Sequence, residues 1–196
     1  MEDRLVNLID EIRNYKPFNE QEEQDKKVAL DYITTFPNIL TRENEFAHMT
    51  ASSWIVNRDR TKVLMIYHNI YKSWAWTGGH ADGEENMRDV AIREAMEETG
   101  IKNVKPIQEG IFSLELLCVN GHVKRGKYVS SHIHINVTYL LEADDSETLA
   151  IKEDENSGVR WIAIEDAVEI SNEENMREVY TKLNKKLKCI EADSTE

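Results

Sequence analysis

Glu94, Glu97 and Glu98 crowd into the short run REAMEE. At about 100° per residue on a helix they fall within about 100° of arc, while Ala91, Ile92, Ala95 and Met96 share an adjoining face expected to be buried. Like charges at this spacing repel each other, and a helix C-terminus disfavours negative charge. A bound cation removes both conflicts. Magnesium and manganese take hard oxygen ligands, which carboxylates on successive turns supply. The preceding TGGHADG reads as a flexible turn whose carbonyls could approach the same ion. The chemistry that fits is displacement at phosphorus, with metal ions neutralising phosphate oxygens and a carboxylate deprotonating water. The plainer alternative is a solvated helix face.

Other side chains could serve a ligand. His132 and His134 alternate along one strand face that Asn136 continues, so they could line a cavity or bind phosphate. His80 stands in the glycine-rich turn, whereas His48 and His68 read as structural. Lys124, Arg125 and Lys127 make the basic cluster KRGK, with Arg125 placed to hold an outer phosphate. Trp74 and Trp76 alternate ahead of the turn, so that one, taken here as Trp76, could stack on a base or sugar while the other enters the core.

These residues need a frame. Residues 1–43 read as a helical extension of two helices. Leu5, Leu8, Ile9 and Ile12 mark the first. Val28, Ala29, Tyr32, Ile33 and Phe36 mark the core face of the second, with Asn19 and Glu22 as a capping box. The pair offers a lid or a partner surface, a homodimer included; the plainer reading packs it on the main domain. From 44 to 190 the pattern becomes strands with intervening helices. EFAHMTASSWIVN and KVLMIYHN form a hairpin, and a helix covers about 85–99. IFSLELLCV and YVSSHIHINVTYLLEA form a second hairpin. An acidic loop, the strand VRWIAI and a last helix follow, leaving 191–196 as a tail. This is an α/β pattern with a mixed sheet covered by helices.

The chain has 196 residues and a formal net charge of −13. One domain with a sizeable core is expected. The acidity argues against broad contact with nucleic-acid phosphates. Only Cys118 and Cys189 are present, at no paired spacing, so neither a disulfide framework nor a cysteine metal site is expected. No apolar run is long enough to span a membrane, and the charged N-terminus does not resemble a secretory signal; a cytoplasmic location fits.

Gly79, five residues, Glu85, seven residues, then Arg93, Glu94, Ala95, Met96, Glu97, Glu98, Thr99, Gly100 and Ile101 resemble the Nudix box at every fixed position, with Ala95 a small occupant of an aliphatic place. The resemblance implies an α/β/α sandwich around a mixed sheet. It also implies a hydrolase that uses Mg2+ or Mn2+ to cleave a nucleoside or other diphosphate linked to a further group X. Glu94 and Glu98 would be the main metal ligands and catalytic carboxylates, assisted by Glu97 and the carbonyl of Gly78. Glu85 and Arg93 would pair structurally. A downstream acidic loop often adds a ligand or the general base. In IKEDENSGVRW the candidates are Glu153 and Glu155, with Glu155 favoured. The region LELLCVNG lacks the proline or tyrosine that marks two substrate subgroups, so X stays open. The alternatives are a catalytically silent nucleotide sensor and an isopentenyl-diphosphate isomerase. Against the isomerase, AWTGGHADG has no cysteine.

Overall fold

The computed structural model describes residues 5–124 and 126–193. Strands pair in the order β10 (Asn156–Ala163), β2 (Lys62–His68), β1 (Ala47–Val56), β9 (His132–Ala143) and β5 (Val104–Pro106), with β3 (Ser73–Ala75) beside β2, β4 (Thr77–His80) beside β1 and β6 (Ser113–Val119) beside β9. The mixed sheet and its helices match the expected fold class. The chain divides into two compact units, and β1, β4, β9 and the helix α3 each contribute to both.

The first unit holds α1 (Val6–Asn14), α2 (Glu20–Thr35), the first part of β1 (Ala47–Val56), most of β4 (Thr77–His80), the first turn of α3 (Met87–Thr99), β6 (Ser113–Val119), β7 (His122–Lys124), β8 (Lys127–Val129) and most of β9 (His132–Ala143). Leu8 and Ile12 of α1 are buried, as periodicity predicts. In α2 the expected apolar face is only half realised. Ala29 and Ile33 are buried, but Val28 and Phe36 are exposed. Glu22 is buried in their place. Asn19 caps α2 by accepting from the Glu22 backbone N–H at 3.0 Å. The Glu22 carboxylate accepts from Phe18 N–H at 2.7 Å, from Tyr15 Oη–H at 2.5 Å and from Ser113 Oγ–H at 2.8 Å. These bonds offset the cost of burying a carboxylate and tie the helical pair to β6.

The β6–β9 register sets Glu115 opposite Asn136 and Leu117 opposite His134. Because side chains alternate with period 2, His132, His134, Asn136 and Thr138 share a face of β9, as His48, Thr50 and Ser52 share a face of β1. Thr50 and Ser52 both donate to Asn136 Oδ1, at 3.0 and 2.9 Å.

The second unit holds the rest of β1 and α3, β2 (Lys62–His68), β3 (Ser73–Ala75), β5 (Val104–Pro106), the end of β9, β10 (Asn156–Ala163) and α4 (Glu174–Asp193). Its core is built from Trp54, Ile55, Val63–Ile66, Tyr180, Leu183 and Leu187, with the Trp54 and Tyr180 rings stacked at 5.2 Å. The last helix runs to Asp193, into the stretch expected as a tail. Among the described residues no helix is long and apolar enough to cross a membrane.

Candidate functional site

The turn expected at TGGHADG is shorter than its sequence suggests, because Thr77–His80 pairs with β1 as β4. Only glycine fits at Gly78. A Cβ there would lie 2.5 Å from Ser52 Oγ and 2.7 Å from the Ala51 carbonyl. The chain then turns through Asp82 and Gly83, both at positive φ, and α3 begins at Met87.

The buried stripe of α3 differs from the expected one. Met96 is 38% exposed, while Glu98 is 3% exposed and stands in line with Ala91 and Ala95. Glu94 is also mostly covered, its side chain 14% exposed, whereas the Glu97 side chain is 47% exposed. The three box glutamates therefore divide into two inward carboxylates and one outward one. Arg93 bonds to Glu94 at 3.0 Å and lies 3.8 Å from Glu97.

In the second unit the acidic loop is docked on the C-terminal end of α3. Ala150 N–H donates to the Thr99 carbonyl at 2.8 Å, and buried Asn156 donates from Nδ2 to the Glu98 carbonyl at 2.9 Å. These bonds satisfy carbonyls that a helix end leaves unpaired. Gly100, at φ +75°, ends the helix where a Cβ would meet the Ala150 Cβ at 2.7 Å. The docking brings Glu155 to the box. Lys152 Nζ lies 3.1 Å from Glu97 Oε2 and 3.1 Å from Glu155 Oε2. Burial alone would lower the Lys152 pKa, but hydrogen bonds to Glu97 and Glu155 and the neighbouring carboxylate charges outweigh it and raise it. The Glu153 backbone carbonyl accepts from Asn69 Nδ2 at 3.3 Å. Lys152 escaped the sequence reading, although its place three residues before Glu155 was a signal for an ion pair.

The donor set suits a hard cation. Glu94, Glu97, Glu98 and Glu155 offer carboxylate oxygens, and an ammonium stands between two of them. The carboxylates are not gathered on one point, however: Glu97 and Glu155 meet at Lys152, while Arg93 holds Glu94.

In the first unit His132 and His134 are brought together, with Nε2 to Nε2 3.1 Å apart. His48 and His80, which the sequence left apart, join them. Ring centroids are 5.1 Å apart for His48 and His80, 5.1 Å for His48 and His134, and 5.0 Å for His80 and His134. Burial lowers the His48 pKa. Burial, then the charges of His80, His48, His132 and His122, hold His134 down to about 2. Strand pairing between distant segments makes this cluster, so no local pattern predicts it.

Trp76 is buried against Tyr180, edge to face at 5.7 Å, with its backbone N–H donating to Tyr180 Oη at 3.2 Å. Trp74 is the more exposed of the two tryptophans and carries the Arg160 guanidinium 4.4 Å above its ring. Arg125 lies outside the described residues.

A model of the NUDIX domain matches residues 47–183. The bis(5'-nucleosyl)-tetraphosphatase (asymmetrical) of Rattus norvegicus is 28% identical over 105 residues, which cover 53% of this chain and 65% of the rat protein. This chain thus spans just under two thirds of that relative's length. The RNA pyrophosphohydrolase of Pelagibacter ubique (strain HTCC1062) is 29% identical over 140 residues, covering 69% of this chain and 88% of that one. Among solved structures, a C. elegans Ap4A hydrolase binary complex superposes with a TM-score of 0.53 at 21% identity, over 74% of this chain and 98% of that one. At that identity the likeness is one of fold. A NUDIX-family hydrolase from Clostridium perfringens gives a TM-score of 0.51 at 25% identity, over 69% and 95% of the two chains.

Proposed function

The chain belongs to the NUDIX domain family, and from that premise we propose that it hydrolyses a nucleoside diphosphate, or another diphosphate, joined to a further group X, by attack of water at phosphorus. The observation that carries this reading is the docking of Glu155 beside the box helix, where it and Glu97 share the Lys152 ammonium. Glu94 and Glu98 would hold Mg2+ or Mn2+, with Glu97 assisting and the Gly78 carbonyl as a further ligand. Bound there, the ion would neutralise phosphate charge as it develops. Glu155 would accept the proton of the attacking water. Lys152 would orient Glu155. His132, His134, Arg125 and Trp76 would serve the substrate.

The names of the relatives span dinucleoside tetraphosphates, RNA and a pterin triphosphate. A substrate panel should therefore sample each, with Mg2+ and with Mn2+. Release of phosphate or a nucleoside monophosphate is expected. Glu98→Gln should lower the rate at least about a hundredfold without loss of folding. Tight nucleotide binding by calorimetry with no turnover across the panel would overturn the hydrolytic reading in favour of a sensor.

A further inference from the structure

The tightest group of metal-type side chains among the described residues is not the box. His48, His80 and His134 each offer a ring nitrogen, and these nitrogens all lie within 4.8 Å of one another. They come from β1, β4 and β9, and all belong to the first unit, whereas Glu94, Glu97 and Glu98 belong to the second.

The hydrogen bonds around the rings prepare them as ligands. His48 Nδ1 faces the Asn44 carbonyl at 3.0 Å. A carbonyl only accepts, so the ring proton sits on Nδ1 and the lone pair on Nε2. That Nε2 is buried and has no hydrogen-bond partner. A buried acceptor is costly to leave unmade, unless the site exists to coordinate something. His132 Nδ1 likewise faces the Ser130 carbonyl at 2.8 Å, so its Nε2 accepts from His134 Nε2–H at 3.1 Å. His134 is then left with its lone pair on Nδ1. An outer acceptor on the second nitrogen of a histidine is the usual support of a metal-bound imidazole. Neutral imidazoles without carboxylates suit a borderline divalent ion rather than magnesium.

We propose that His48, His80 and His134 form a second metal site that takes Zn2+ or a similar borderline divalent cation, with His132 as the positioning residue behind His134. Zn–N bonds of about 2.0–2.1 Å need donor nitrogens about 3.3 Å apart, so binding draws the rings inward. His80 and His134 are only half-buried and can supply that movement. Three protein ligands leave the fourth tetrahedral position for water or a ligand oxygen.

The test uses Zn2+ and Co2+ alone on the full chain, without substrate. Zinc is titrated against a chromophoric chelator in the wild type, in His80→Asn, in His134→Asn and in Glu94→Gln/Glu98→Gln. The expected result is about one tightly held Zn2+ per chain, weakened at least about a hundredfold by either histidine change and retained in the glutamate variant. Co2+ should give the intense visible bands of a tetrahedral nitrogen site on the wild type, a readout that depends on no variant. Weak pink octahedral Co2+ on the wild type would overturn the proposal, as would zinc lost with the glutamates and kept by folded histidine variants.

Discussion

Lys152 Nζ sits 3.1 Å from Glu97 Oε2, joining the acidic loop to the outward carboxylate of the box helix, and it reaches Glu155 at the same distance. An ammonium in that place competes with a divalent ion for the same oxygens. Each partly exposed pair of this kind contributes about 0.2–1 kcal/mol. Lys152→Met is therefore expected to tighten Mn2+ binding by about two- to fivefold, measured by calorimetry. Weaker binding would mean that Lys152 organises the metal face rather than competing for it.

Glu155 and Glu153 separate the two acidic residues the sequence left in play. Glu155 faces the box through Lys152, and Glu153 contributes a backbone carbonyl to Asn69. Loss of a general base typically costs about 10²–10⁴ in rate. Glu155→Gln should show such a fall in kcat, while Glu153→Gln should change kcat by less than about twofold. Equal effects would remove Glu155 from the role of base.

Gly78→Ala tests the close approach of β4 to β1. The added methyl would lie 2.5 Å from Ser52 Oγ and 2.7 Å from the Ala51 carbonyl. The serine can rotate, but the carbonyl is backbone and cannot withdraw. Overpacking of this kind costs about 1–3 kcal/mol, so the midpoint of thermal unfolding should drop. The double variant Gly78→Ala/Ser52→Ala should recover only part of the loss.

Glu11 makes the stability of the first unit sensitive to pH. Its carboxylate lies 3.1 and 3.2 Å from Tyr139 Oη. Burial raises its pKa above the ordinary 4.5, against the Tyr139 hydrogen bond and the Arg88 charge, which both lower it. A raised carboxyl binds its proton more tightly in the folded state. Its stabilising contribution is thus full below pH 4.5 and is lost as pH rises through the folded value. Glu11→Gln should flatten that part of the curve and be more stable than wild type at neutral pH. Denaturant unfolding at several pH values reads this directly; an unchanged slope would remove Glu11 as its source.

The box segment was legible because its signals are local. The spacing from Gly79 to Ile101 can be read without a fold, and so can the helix that α3 became. The two strand pairs also followed from runs of alternating residues closed by polar links. The errors arose where burial depends on what packs above. Met96 and Glu98 are two positions apart on one helix, and intrinsic hydrophobicity places Met96 inside. In the folded chain Glu98 is instead buried and Met96 exposed, at the helix end where Asn156 bonds the Glu98 backbone carbonyl. Along α2, Val28 and Phe36 are exposed while Glu22 is buried, its carboxylate satisfied by Tyr15 and Ser113.

The sequence by itself determined the chemistry available: carboxylates at helical spacing, a glycine turn and an acidic loop in the right order. Tertiary structure alone decided which of these groups meet. It set Glu155 against the box through Lys152, and it gathered His48, His80, His132 and His134 from three strands into one cluster. The physical reason is that hydrogen bonding between strands joins residues far apart in the chain, and no local pattern of side chains encodes such a meeting.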